Sequence, residues 1–361
     1  MKTLILTVDD IRAIVRQITL DGLMDELIAR LQRAIEGFDP HKTVVPIRSG
    51  FHYHRPAVGL LEWMPILELG GPATIKIVGY HPSNPQREQL PTILSTVSAF
   101  DSANGHLIGL ADATFLTALR TGAASAVASR ALAVEDSRTL GLVGGGAQAV
   151  TQLHALERVF DLETVLVYDS NPAVAASFRE RAAFSGAAIR QAPLDAIMRE
   201  SDILCTATSV DIGKGPVLPE GVETRPWLHI NAVGSDFPGK VELPRSLLTA
   251  SFVCPDFHDQ AVNEGECQQL DPDEIHAELV TVIQNPVDFP DLRNRRTVFD
   301  STGWALEDQV AFQMLIDCAA DLGLGTPVDL ESMSDDPHNP YAFLNPAGTP
   351  ATVDELAASN A

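Results

Sequence analysis

Leu140-Gly141-Leu142-Val143-Gly144-Gly145-Gly146-Ala147-Gln148-Ala149 is a short apolar run that passes into a G-x-G-x-x-A turn and then into a helical pattern. Glycines at that spacing let the backbone approach a pyrophosphate at the N-terminus of the following helix. A glycine run alone is weak evidence, so its surroundings decide. The next apolar run, Val165-Leu166-Val167-Tyr168, ends at Asp169, about 25 positions past Gly144. An acid there accepts both hydroxyls of an adenosine ribose and repels a 2′-phosphate, which selects NAD over NADP. The lesser reading of Asp169 alone is a strand-end acid capping a turn.

Outward from this turn, apolar runs at 139–143, 164–168, 203–207, 227–233, 251–254 and 297–300 alternate with helical stretches. That alternation predicts a parallel sheet of βαβ units, a Rossmann-type α/β domain. Asn231-Ala232-Val233-Gly234-Ser235-Asp236-Phe237-Pro238-Gly239-Lys240-Val241-Glu242-Leu243 follows one of these strands directly. Ligands of open parallel sheets bind beyond the carboxyl ends of the strands, so Asp236 would face the cofactor crevice and could exchange a proton beside a hydride-transfer centre. The same residues suit an Asx turn beside Pro238-Gly239, and spacing leaves both readings open.

Toward the N-terminus the texture differs. Ile11, Ile14, Val15, Ile18 and then Met24, Leu27, Ile28, Leu31 recur at helical spacing, with Thr7 as a candidate N-cap. From 43 to about 110, short apolar runs broken by Gly, Pro and Asn predict an antiparallel sheet with a long loop at 79–89. Residues 111–134 read as a helix carrying Arg120, and 304–322 as another. The last thirty residues, with Pro340, Pro346 and Pro350, read as an irregular tail. A discontinuous α+β domain, 1–125 plus 304–361, would thus pack on a dinucleotide-binding domain, 126–303.

At 361 residues the chain has room for two domains, and 45% hydrophobic with 20% charged residues is a globular composition. The balance of 25 basic against 48 acidic residues, a net −23, repels phosphate backbones and anionic membranes. Neither nucleic acid nor membrane is an expected partner. No apolar stretch is long enough for a span, and Met1-Lys2-Thr3-Leu4-Ile5-Leu6 runs into Asp9-Asp10 rather than a cleavage site, so a cytoplasmic location is expected. Cys205, Cys254, Cys267 and Cys318 are scattered, without zinc or disulfide spacing. His52 and His54 share one strand face but lack a third ligand at helpful spacing, so no metal is expected.

Arg48, Lys76 and Arg120 are cations in the first domain of an acidic chain with only five lysines. Guanidinium forks and an enclosed ammonium suit a carboxylate. Taken singly, each is also an ordinary exposed charge.

Assembled in order, Glu62-Trp63-Met64-Pro65, Lys76-Ile77-Val78-Gly79-Tyr80-His81-Pro82, Leu90-Pro91-Thr92, Leu116-Thr117-Ala118-Leu119-Arg120-Thr121, the Gly144 turn, the 233–243 stretch, Asn263-Glu264-Gly265-Glu266 and the 299–308 run resemble the ornithine cyclodeaminase and mu-crystallin family over nearly the whole chain. The loop at His81-Pro82 and the 300–308 run are most similar to the cyclodeaminases themselves, which convert L-ornithine to L-proline and ammonia. The resemblance implies that Arg48, Lys76 and Arg120 hold the amino-acid carboxylate, with Glu62, Met64 and Thr302 beside the substrate and Asp236 as proton donor or acceptor. It also implies an NAD site of Thr92, Arg120, Gly144, Gly146, Ala147, Gln148, Asp169, Thr208, Val233, Gly234, Ser235, Lys240 and Ser301, and a homodimer formed through the first domain, 1–125 plus 304–361, as the substrate-binding and dimerisation domain. Thr302 departs from the family's apolar residue, which puts substrate length or polarity in question.

The expected activity is ornithine cyclodeamination by internal hydride transfer. Lysine cyclodeaminase differs by one methylene, worth only about 1–3 kcal/mol to a pocket. An amino-acid dehydrogenase or ketimine reductase would stop halfway and release its cofactor. A crystallin-like binding protein would need no proton-transfer group beside the nicotinamide.

Overall fold

A computed structural model describes residues 1–344. Two sheets divide the chain. The first is mixed, built from β1 (Thr3–Leu6), β2 (Thr43–Val44), β3 (Ser49–Tyr53), β4 (Gly59–Glu68), β5 (Pro72–Tyr80), β6 (Ile93–Asp101), β7 (Leu107–Asp112) and, far along the chain, β15 (Thr326–Val328). Its order is β15-β1-β7-β6-β5-β4-β2, with β3 also on β4. The second is all parallel: β8 (Thr139–Val143), β9 (Thr164–Tyr168), β10 (Ala188–Gln191), β11 (Ile203–Thr206), β12 (His229–Ala232), β13 (Phe252–Pro255) and β14 (Thr297–Asp300), ordered β10-β9-β8-β11-β12-β14-β13. Strand order reverses between β8 and β11, and the Gly144 turn leaves β8 there, at the place where doubly wound sheets bind ligands.

Helices α1 (Val8–Ile18), α4 (Thr114–Leu132) and α11 (Ala305–Leu322) lie on the inner face of the mixed sheet, and α2 (Leu20–Glu36) and α10 (Leu279–Gln284) pack on those helices, all joined in one core through Leu27, Met64, Ile66, Val97, Leu119 and Phe312. The short α3 (Asn84–Arg87) lies in the loop after β5. Around the parallel sheet run α5 (Ala147–Glu157), α6 (Pro172–Arg181), α7 (Leu194–Glu200), α8 (Arg245–Thr249) and α9 (His258–Ala261). The expected boundary at 125/126 falls inside α4. This Ala-, Ser- and Thr-rich helix is buried over most of its length. At Gly122 the α5 backbone at Thr151 leaves no space for a Cβ. Small side chains thus let one continuous helix serve both sheets.

Local chemistry explains the helix ends. Thr7 caps α1 in a reciprocal box with Asp10. The expected helical N-terminus is two helices, because Thr19 takes φ 74° and its Oγ1 accepts from the Gly22 N–H at 3.1 Å to restart the chain. Two strands lacked a readable pattern: β1 is only four residues long, and β10, Ala-Ile-Arg-Gln, is a polar edge. All four cysteines are buried and free. Among the described residues no helix is long and apolar enough to cross a membrane. The tail beyond 344, with Pro346 and Pro350, lies outside the described residues.

Candidate active site

The glycine turn is shaped by close approach. Gly144 takes φ +91°, and a Cβ there would meet the Ala207 carbonyl of the neighbouring strand. Its N–H donates to the Tyr168 carbonyl at 2.9 Å. Gly146 is the N-cap of α5, uses no side chain as a cap, and has nothing within 4 Å of the place a Cβ would take. Free N–H groups at a helix N-terminus, opening on empty space, are what a pyrophosphate needs. Ala147 is exposed and Gln148 half-exposed on the first turn.

Asp169 accepts from Gly145 N–H through Oδ2 and from Asn171 N–H through Oδ1, each at 2.8 Å. The turn-capping reading is therefore real, and each oxygen keeps a second lone pair for a ribose hydroxyl. A cleft of about 350 Å³ beside it is walled by Val167, Pro172, Ala175 and Pro193. That shape suits an adenosine.

Val233 and Ser301 follow β12 and β14, their N–H groups donating to Thr206 and Ala232 carbonyls at 2.9 Å. The Thr208 hydroxyl lies against the Glu242 carboxylate, and that of Ser301 is buried without an aligned partner among the described residues. Such an orphan calls for a ligand atom. Ser235 Oγ instead donates to the Lys240 carbonyl at 2.5 Å. Lys240 Nζ pairs with Asp236 Oδ1 at 2.5 Å and sits 5.0 Å from the Tyr80 ring centre. Burial works against the Lys240 charge, yet Asp236 and Tyr80 hold its pKa above the usual value. Thr92, just before β6, gives its carbonyl to the His81 N–H at 2.8 Å. Open glycine cradle, acid and the orphan Ser301 hydroxyl have the chemistry that a dinucleotide asks for, and Gly144, Gly146, Asp169, Thr208 and Ser301 are the residues that could hold one.

Pleat alternation turns Lys76, Met64 and Glu62 inward, Met64 lying opposite Lys76 on adjacent strands. Lys76, 1% exposed, reaches both oxygens of Asp308 at 2.8 and 2.7 Å. Arg120 pairs through Nη1 with Glu307 at 2.7 Å and through Nε with Asp308 at 3.1 Å. Its guanidinium lies where a Cβ on Gly303, φ +91°, would be. Arg48 pairs with Glu264 at 2.5 Å and Glu62 at 3.7 Å, and donates to the carbonyls of Asp236 at 2.5 Å and Thr302 at 3.1 Å. It ties the first sheet to the loops above the second.

Two of these features differ from what the sequence suggested. The three cations are not bare: Glu264, Glu307 and Asp308, assigned no role from sequence, pair with them. The signal was physical, since a buried Lys or Arg needs a counter-charge, and all three acids lie in stretches already singled out for the family resemblance. Thr302 is buried, and its hydroxyl is spent internally, donating to Asp256 at 2.8 Å and accepting from Gln260 at 2.9 Å. Its polarity therefore acts on the wall of the site rather than standing free beside a substrate. His52 Nε2 reaches Glu62 at 3.2 Å, and the ring packs on Phe237 at the rim.

Burial pulls Lys76 down to about 8 against the pull of Asp308, with Arg120 and Arg48 adding to the fall. Burial likewise pushes Glu264 up to about 8 despite Arg48, helped by Glu62 and Asp236. Burial also lifts Glu307 to about 8 despite Arg120. Cations and acids interleave here: Arg48 stands among Glu62, Glu264 and the Asp236 backbone, while Lys76 and Arg120 stand against Asp308 and Glu307. Such a cluster offers partners of both signs, for a carboxylate and for an amine.

Residues 1–322 match the model of the ornithine cyclodeaminase/mu-crystallin family. The L-lysine cyclodeaminase of Streptomyces rapamycinicus is 41% identical over 344 residues, 95% of this chain and 100% of the relative. The ornithine cyclodeaminase of Agrobacterium fabrum is 34% identical over 288 residues, 79% of this chain and 80% of the relative. Among solved structures, a lysine cyclodeaminase described as recognising L-lysine, L-ornithine and L-2,4-diaminobutyric acid superposes with a TM-score of 0.92 at 46% identity, covering 95% of this chain and 100% of its own. An archaeal alanine dehydrogenase dimer with bound NAD gives 0.81 at 30%, covering 92% and 100%. With a parallel sheet, a glycine turn and a cation–acid cluster in the order that the resemblance implied, this chain belongs to the ornithine cyclodeaminase/mu-crystallin family.

Proposed function

We propose that the protein is an NAD-dependent cyclodeaminase that turns an L-diamino acid into a cyclic imino acid and ammonia, with L-lysine its first substrate and L-ornithine its second. One observation carries this reading: carboxylate-binding cations and ammonium-binding acids meet around Arg48 at the carboxyl end of the parallel sheet. The order of substrates reverses the expectation from sequence, because greater identity to a lysine enzyme supports the longer chain. The family motifs serve the carboxylate and cofactor ends of the site, so they carry little information about one methylene.

Lys76 and Arg120 hold the α-carboxylate, sharing their N–H groups with Asp308 and Glu307. A proton on Glu307 near neutral pH leaves Arg120 charge to spare for it. NAD, which the Gly144 turn, Asp169 and Ser301 would hold, would supply reversible hydride-acceptor chemistry at the substrate Cα. Asp236, its side chain 36% exposed and steadied by Lys240, takes the proton from the α-amine as the substrate imine forms. Asp236 and Glu264 orient the distal ammonium; Glu264, raised to about 8, keeps its own proton near neutral pH, and Asp236, having passed its first proton to solvent from its exposed edge, receives that of the distal amine. The free amine then adds to the imine carbon within the same molecule, where effective concentration favours closure. The α-amino group, protonated, departs as ammonia, and no net oxidation remains.

The outward face of the mixed sheet and a dimeric relative support a homodimer through that face. The functional test is ammonia release from L-lysine and L-ornithine with NAD below substrate, following NADH absorbance in the same sample. Ammonia in excess of NAD, without NADH build-up and faster from lysine, is expected. NADH rising in step with ammonia would replace this reading with an amino-acid dehydrogenase.

A further inference from the structure

Three buried carboxylates outside the steps above, Glu242, Glu266 and Asp300, hold backbone in series. Glu242 accepts from the Thr208 N–H through Oε1 at 2.7 Å and from the Gly234 N–H through Oε2 at 2.8 Å. One side chain thereby bridges the segment after β11 to the turn after β12. Gly234 has no space for a Cβ, hemmed in by that carboxylate and the Thr208 carbonyl. The N–H groups of Glu242 and Leu243 donate in turn to Glu266, at 2.7 and 3.2 Å. Those of Glu266 and Cys267 donate to Asp300 at the end of β14, at 2.9 and 2.8 Å.

None of the three has a Lys or Arg nitrogen within 4 Å among the described residues, and all are fully buried. A desolvated carboxylate without a counter-ion is costly. Here six backbone N–H groups meet the six oxygens, with the Gln269 amide also donating to Glu266 Oε2 at 2.7 Å, a geometry that a primary amide cannot reproduce, because its NH₂ would face an N–H. Each acid fixes the backbone of the next, and the series ends at the turn that carries Asp236.

We infer, on the footing of the proposed function, that Glu242 is a positioning residue for Asp236, and that Glu266 and Asp300 act through it as a relay from β14. Two turns on neighbouring strands move as one body because a single carboxylate spans them. Glu266 touches neither turn, yet its loss frees Glu242 and with it both.

The experiment compares Glu266→Gln, Glu242→Gln and the double variant with the wild type, after native circular dichroism has confirmed folding. Hydrogen exchange of peptides spanning 206–210 and 233–236 is read without cofactor. Titration with NAD and steady-state turnover of L-lysine follow. Faster exchange in both peptides of Glu266→Gln is expected, with NAD binding about tenfold weaker and kcat down about ten- to a hundredfold. The double variant should be no worse in kcat than Glu242→Gln alone, since a relay is already cut by one break. Exchange unchanged at 206–210 in Glu266→Gln, or additive losses in the double variant, overturns the inference. If Glu242→Gln does not fold, the exchange pattern of Glu266→Gln decides alone. A wild type that releases no ammonia refutes the functional reading but leaves the exchange test intact.

Discussion

Asp236 joins two roles in one residue: its carbonyl accepts from Arg48 of the first sheet, while its carboxylate pairs with Lys240. An amide would keep the carbonyl contact and lose the ability to take a proton. Asp236→Asn is therefore expected to bind NAD within a few-fold of the wild type while turnover falls at least about a hundredfold. Calorimetry with NAD and an ammonia assay check the two halves, and retained turnover would remove Asp236 from the chemistry. At this scale legibility was uneven. Asp236 could be found because it follows a strand of a recognisable sheet. Asp308 could not, because its tie to Lys76 spans 232 positions and leaves no local spacing to read.

Elements were more legible than contacts. The strands now labelled β8, β9 and β14 run over the residues that their apolar runs marked, because buried parallel strands are apolar on both faces. In the mixed sheet the alternation of β4, β5 and β6 places Lys76 inward and Ile77 outward one residue later. Leu61, Ile77 and Leu94 stand 39%, 43% and 42% exposed on that outer face, with Trp63 and Ile75 between them. A contiguous apolar sheet face of this kind marks an interaction surface, and it is the face through which we propose the homodimer. Ile77→Lys, pointing outward with no buried partner to lose, should leave the fold intact and shift light-scattering mass from dimer to monomer. A variant that stays dimeric would move the interface elsewhere.

The molecule as a whole gathers acids in its interior, and this sets how it responds to pH. Burial raises Glu264 and Glu307 to about 8 and Asp300 to about 7 in the folded state. Unfolded, these groups titrate near the ordinary carboxylate value of about 4. Between those limits the folded chain binds more protons, so stability is fullest at the acidic end of the window and is lost as pH rises through the folded values. The urea midpoint of the unliganded protein should fall from about pH 5 to about pH 8, and Glu264→Gln should flatten that fall. A midpoint rising across the window would show that these acids stay ionised in the fold.

The pairing of Lys76 and Arg120 with Glu307 and Asp308 also bears on how the chain is made. The cations belong to β5 and α4, early in the sequence, and their partners open α11, near its end; β15 then closes the mixed sheet against β1. During vectorial synthesis the ribosome delivers two buried cations long before their counter-charges. The parallel sheet, whose strands all lie between, can mature first, and the N-terminal half is completed last, folding around a C-terminal helix it must wait for.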